Sequence, residues 1–378
     1  ALFPSNDAPN NEFFDVAVAP SANNLSLDVS AIIDSLALGA GNTLNVSAGS
    51  GLTLDGVGVR PGSGILDNQG SINIQSSAVS TAFLRGTNGD LQLEGGGTVT
   101  LSGPAVVTVF PGDDTATFRS RSVLNASGAA LINVDNTIEG TGLLGNTTTE
   151  IRNLSGGVID ANVSGASLVI QGDVGGNGVT NLGTVQASNG GILRLFFRDY
   201  SQTNGTDSGV IQALAGSTVR VENSGINITG GSLRSAAGGE LLLRNGFVTG
   251  TDLTVNNEGT LNATPDSNGA SLLTLNGGAF NNSGTANFVD SDLRLNSADV
   301  NNSGLVMIEN AVIIGDGKYS QSAGTTHLAG GRITLTELAI AGGSLSGNGT
   351  VTAESSIMGI LDPGDFIGQI NFIGDLFL

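Results

Sequence analysis

The chain contains no cysteine, which removes disulfides, thiolate metal sites and cysteine nucleophiles together. Positive charge is also scarce: 13 lysines and arginines stand against 33 acidic residues, a formal net charge of −20. Phosphate binding depends on clustered basic side chains, so nucleic acid is not an expected partner. No run of eighteen apolar residues occurs, and no helix is expected to span a membrane. With only 8 prolines beside 59 glycines the chain is no collagen. Its 39% hydrophobic content is too high for a disordered tail. The acidity reads as solubility and suppressed lateral sticking, because an oxygen-ligand cation site would need several carboxylates at fixed spacing. No metal or cofactor site is expected.

What the chain does have is a repeat. Residues 255–263 read VNNEGTLNA, residues 280–288 FNNSGTANF, and residues 300–308 VNNSGLVMI. Their glycines are Gly259, Gly284 and Gly304, with weaker copies expected at Gly324 (SAGTTHL) and Gly349 (GNGTV), at intervals of 25, 20, 20 and 25 residues. A period of that size, with strand-like alternation and no helical segment between copies, marks a β-solenoid. Ala286 and Phe288, Val306 and Ile308, and Thr326 and Leu328 share one parity and are expected to point inward. Leu273 and Leu275, Leu293 and Leu295, and Ile333 and Leu335 form a second inward run, and Phe280 and Val300 close the lap. Three short strands per lap predict an all-β, single-coil parallel β-helix of roughly fifteen rungs. Gly and Asn are assigned to the bends, where both tolerate positive φ. Asn257, Asn282 and Asn302 are expected to stack as an axial ladder of side-chain amides.

Composition shifts suggest three segments. Residues 1–22 carry Pro4, Pro9 and Pro20 together with Phe3, Phe13 and Phe14, and read as an extended arm or a cap. Residues 23–355 carry the β-helix. Residues 356–378 form an apolar capping or docking segment containing Phe366, Ile370, Phe372 and Phe377. Between 109 and 121 (VFPGDDTATFRSR) the rhythm breaks into a loop with Asp113, Asp114, Arg119 and Arg121. Paired carboxylates can serve as general acid and base, but neighbours in a strand point to opposite faces. No catalytic residue is assigned. Around Phe196, Phe197 and Tyr200 the aromatics read as an exposed platform for a sugar ring or as alternating core residues, and the core reading is favoured. His327 has outward parity and is assigned no chemistry.

The end of the chain carries a denser signature. Leu345, Gly347, Gly349, Thr350 and Val351 are followed by Gly359, Leu361, Pro363 and Gly364, then by Gly368, Ile370, Phe372, Gly374, Asp375 and Leu376. This series resembles the endings of bacterial exported β-helix repeat proteins, autotransporter passenger domains among them. Such passengers are followed by a membrane β-barrel, which this sequence does not include; the expectation is either that the barrel has been cleaved off or that this is a different exported repeat protein. The resemblance implies an extracellular or cell-surface setting and structural or adhesive roles, and carries over no catalytic residue. A start at Ala1 agrees with a mature exported chain. The expected function is a structural, non-enzymatic fibre subunit assembling head to tail with itself. Phe3, Phe13 and Phe14 would lie at one end of the joint, and Phe366, Ile370, Phe372 and Phe377 at the other. The alternative is an adhesin that binds surface glycans along the solenoid side; a polysaccharide-degrading enzyme is the third reading.

Overall fold

Alternation of apolar and polar residues over four or five positions makes strands with one inward face, too short to form a sheet within a single lap. They find partners by coiling: each strand pairs in parallel with the strands one lap earlier and one lap later. The computed structural model describes residues 14–56, 63–103, 121–173, 178–196, 198–203, 207–364 and 368–378. Over these the protein is an all-β parallel β-solenoid of about 15 turns, with no helix. It comprises two compact units, Ala1–Gly209 and Val210–Leu378.

In the second unit one turn consists of Thr254–Asn257, Thr260–Thr264 and Leu272–Asn276, and the next of Ala279–Asn282, Thr285–Val289 and Asp292–Asn296. The pairs are in register, so Phe280 lies over Val255, Ala286 over Leu261 and Leu293 over Leu273. Every inward residue expected above is buried, Thr326 and Leu328 included. Phe280 and Phe288 meet edge to face at 6.2 Å, and Ala286 leaves room beside them. Later turns run more smoothly: Thr325–Ile340 and Ser344–Ile357 pass two corners without leaving the extended conformation, with register shifts between Ala329 and Gly331 and between Thr334 and Glu337.

The first unit repeats the scheme. Asp15–Val18 pairs with Ser35–Leu38, Asn24–Leu27 with Thr43–Val46, and Ala31–Ile33 with Gly51–Asp55. Residues 15–18 are therefore a strand of this chain's own first turn. Within residues 356–378, Ile360–Asp362, Ile370–Ile373 and Leu376–Phe377 pair with Ser344–Ser346, Gly349–Thr352 and Ser355–Ser356. They make one further turn of the same coil.

Two expectations about the bends are corrected. The signature glycines are stacked at one corner, but the fifth member is Gly343, 19 residues after Gly324, and Gly349 lies on the next face beside Gly331. The motif match at GNGTV was drawn by its Thr-Val, whereas the corner follows the register. Gly324 and Gly343 adopt positive φ at this corner as expected (72° and 71°), but Gly259, Gly284 and Gly304 do not, and neither do Asn257, Asn282 and Asn302. These glycines are there because a Cβ on Gly284 or Gly304 would run into the carbonyl oxygen of the glycine in the preceding turn. Left-handed residues also occupy the other two corners: Asn223, Asn245, Asp290 and Asn310 at one, Asp252, Gly277 and Ser297 at the next.

Phe288 tests the stacking, since it is fully buried between Ala263 and Ile308. Phe288→Ala should destabilise the protein by about 3–5 kcal/mol, read from urea unfolding. A loss below about 1 kcal/mol would contradict an inward, closely packed position.

Candidate functional site

Three features of the surface and corners concentrate polar or apolar groups: a ladder of buried amides, the groove outside it, and the terminal turns. The ladder starts from the register, which sets Asn257, Asn282 and Asn302 over one another. Asn257 Nδ2 donates to Asn282 Oδ1 (2.6 Å), Asn282 Nδ2 to Asn302 Oδ1 (2.8 Å), and Asn302 Nδ2 to Gln321 Oε1 (3.0 Å). Ser235 Oγ donates to Asn257 Oδ1 at the beginning of the row. The same amide nitrogens also reach the backbone of the next turn, Asn257 to Thr285 O (2.8 Å) and Asn282 to Leu305 O (3.0 Å). A buried carboxamide is thus satisfied on both protons.

The first unit holds a second ladder that the sequence reading missed. Asn133 donates to Asn153 (2.8 Å), Asn153 to Asn181 (2.9 Å), and Asn181 to Gln202 (3.2 Å). These asparagines stand singly in LIN, IRN and VTN, so the Asn-Asn pair was too strict a signal; an Asn closing an alternating strand just before a bend finds them. In each unit the row includes a Gln two residues after a buried Tyr, in DYSQ and KYSQ. Burial drives the Tyr319 hydroxyl well above its ordinary pKa, against the opposing hydrogen bonds of Thr326 and Asn302.

Outside the second unit's ladder the strand and the bend that follows it form a groove of about 560 Å³. One wall is the outward row Asn256, Asn281, Asn301, Ser320 and Ala339, in register turn by turn. Asn281 Nδ2 donates to Asn256 Oδ1 and Asn301 Nδ2 to Asn281 Oδ1, both at 2.9 Å, so this row runs opposite in direction to the buried one. The other wall is Glu258, Ser283, Ser303 and Ser322. Glu258 is ion-paired to Arg234 at 2.7 Å, and this hydrogen-bonded pair keeps its carboxyl below the ordinary carboxylate pKa.

At the two ends the apolar interior reaches the surface. Val16, Val18, Leu25, Leu27, Ile33 and Leu36 line a cavity of about 210 Å³ formed by the first two turns. In the last turn Leu361, Ile370 and Phe372 have inward parity but are only half-buried, and Leu376 is 37% exposed. Ile360, Ile373 and Phe377 have outward parity on the three faces and are 66%, 53% and 57% exposed.

Other residues singled out in the sequence fall as follows. Phe3, Phe13, Phe366, Phe197, Asp113, Asp114 and Arg119 lie outside the described residues. Phe14 is half-buried, and its backbone carbonyl accepts from Asp34 N at 3.0 Å. Tyr200 is core, 2% exposed, which removes it from any platform. Arg121 is half-buried, and burial lowers its guanidinium to about 10. His327 points outward and contacts Ser346 Oγ through Nδ1 at 2.9 Å.

The ladder and the buried phenol each generate a test. Asn282→Ala strands the partners of a buried carboxamide and should cost about 1–3 kcal/mol by urea unfolding; a neutral result would deny the ladder its structural role. For Tyr319 the raised pKa means the folded state holds its proton more tightly than the unfolded state. Its contribution is therefore complete below the unfolded value of about 10 and is lost as pH rises from there towards the folded value. In Tyr200→Phe, which leaves one of the chain's 2 tyrosines, phenolate absorbance should appear only together with loss of the β-sheet circular dichroism signal. Phenolate formation in the folded chain would contradict the burial.

No family model matches the chain, and no curated protein matches it. The functional reading therefore rests on the geometry of the ladder, the groove and the ends.

Proposed function

We propose that the protein is a non-catalytic structural subunit of the cell surface or extracellular space that polymerises head to tail, the last turn of one copy seating on the first turn of the next. The observation that carries this reading is the apolar, half-paired last turn. Its three strands pair on one side only among the described residues, leaving backbone donors and acceptors on the other. In a parallel coil all turns run in the same direction, so the trailing edge of a last turn is complementary in direction to the leading edge of a first turn. Leu361, Ile370 and Phe372 would continue the inward rows into the apolar cavity lined by Val16, Leu25 and Leu36. Each square ångström of apolar surface so buried contributes about 25 cal/mol.

A contact between unlike ends is heterologous, and it propagates when the rotation does not close. The resemblance of the closing motifs to exported β-helix repeat proteins of the autotransporter-passenger kind supports a surface location. So does a net charge of −20, which discourages side-by-side adhesion of copies.

Negative-stain electron microscopy of the purified chain should show filaments of uniform width. Phe372→Asp, placed at the joint, should abolish them while leaving the circular dichroism spectrum unchanged. Monodisperse monomers of the unmodified chain at high concentration, by sedimentation velocity, would sink the reading.

A further inference from the structure

We propose that the corner groove of the second unit is a binding site for a neutral, hydroxyl-rich polymer: a polysaccharide chain lying along the coil axis. The inference does not depend on end-to-end assembly, because the groove lies along the turns within Val210–Leu378 and away from the last turn.

The groove is linear and periodic. Its outward row passes through five successive turns from Asn256 to Ala339, the first three of which carry carboxamides, and at about 4.8 Å per turn this gives a track roughly 19 Å long. Asn256, Asn281 and Asn301 are chained at 2.9 Å, and this holds their amide planes in one orientation. A carboxamide has two N–H donors and two acceptor lone pairs. The chain of amides uses one donor and one acceptor at Asn281, so a donor and an acceptor remain there for a ligand. Ser283, Ser303 and Ser322 line the facing wall; the Ser303 hydroxyl donates to Asn282 O at 3.4 Å and keeps its acceptor lone pairs for a ligand. The site therefore offers both kinds of hydrogen bond, turn after turn, from groups whose orientation is set before a ligand arrives.

The same geometry disfavours other polymers. An added peptide strand needs an unpaired sheet edge, and the strands bearing this wall are paired on both sides. An amphipathic helix needs apolar anchors, and the only aliphatic liners are Ala339 and Ala341. Phosphate and sulfate need Arg or Lys, and no basic residue lines the groove. Its one charged liner, Glu258, repels anions and already holds Arg234 at 2.7 Å. A polyol, whose hydroxyls are at once donors and acceptors, is the complement that remains.

Isothermal titration calorimetry tests the assignment on the full chain, with cellohexaose, laminarihexaose, maltohexaose and dextran as neutral probes and dextran sulfate as the anionic control. At least one neutral probe should bind. Affinity should fall about tenfold or more in the double variant Asn281→Ala/Asn301→Ala, which deletes two amides of the row. It should fall at least as far in Ser303→Trp, which fills the groove from an exposed position and keeps the test decisive if the double variant is poorly folded. The proposal is overturned if no neutral probe binds, if binding survives Ser303→Trp, or if dextran sulfate binds more tightly than dextran.

Discussion

The structure depends on parallel backbone pairing between successive turns in register. Because each turn lies directly on the last, a side chain's nearest neighbour is its counterpart one lap away. Leucine over leucine is packing, and asparagine over asparagine is a hydrogen bond. Acid over acid is a liability, and two such pairs are relieved by neutral donors or by a cation. Glu139 and Asp160 are in register, and Asn162, Gln186 and Ser188 donate to them at 2.8–2.9 Å. Lys318 likewise binds Glu337 at 2.7 Å where Glu337 meets Glu354. Such exposed pairs add little stability, but they relieve repulsion that an unbroken stack of carboxylates would accumulate.

The three corners solve the problem of turning a strand in different ways. At two of them a residue in the left-handed region reverses the direction locally, and Asn, Asp, Ser and Gly are interchangeable there because each tolerates that region. At the third the chain turns without it after Asn257, Asn282 and Asn302, and with it at Gly324 and Gly343. Space and polarity decide the residues instead: glycine because another backbone presses on it, asparagine because its amide reaches both its neighbour in the row and the next turn's carbonyl. This corner has the strongest sequence signature because it carries two independent requirements. Its concave outer side is also where the ordered amide row of the groove is exposed. One local solution thus serves the interior on one face and presents a regular polar surface on the other.

The ends obey the opposite logic. Within the stack each inward residue is covered by the next turn, as Val351 is by Phe372. Among the described residues no further turn covers the last one, so its residues with core parity are half-exposed and its strands are paired on one side. Ile360, Ile373 and Phe377 extend the apolar surface to the outer faces. The turn therefore has the chemistry of a cut core, and the proposed end-to-end assembly rests on it.

Period, alternation and parity were all legible in the amino-acid order, because a coil repeats local choices. Phe288, Leu293 and Thr326 point inward for reasons visible within a few residues of each. The inner ladder at Asn257, Asn282 and Asn302 followed from the repeat alone. Its counterpart at Asn133, Asn153 and Asn181 escaped notice because insertions and irregular laps blur the period there. Tertiary structure decided which glycine aligns with which, that Gly343 and not Gly349 continues the corner, and that Tyr200 is core. It also decided that Asn281 and Ser303 form opposite walls of one groove. Those facts depend on register between residues some twenty positions apart, and register is selected by the packing of whole turns.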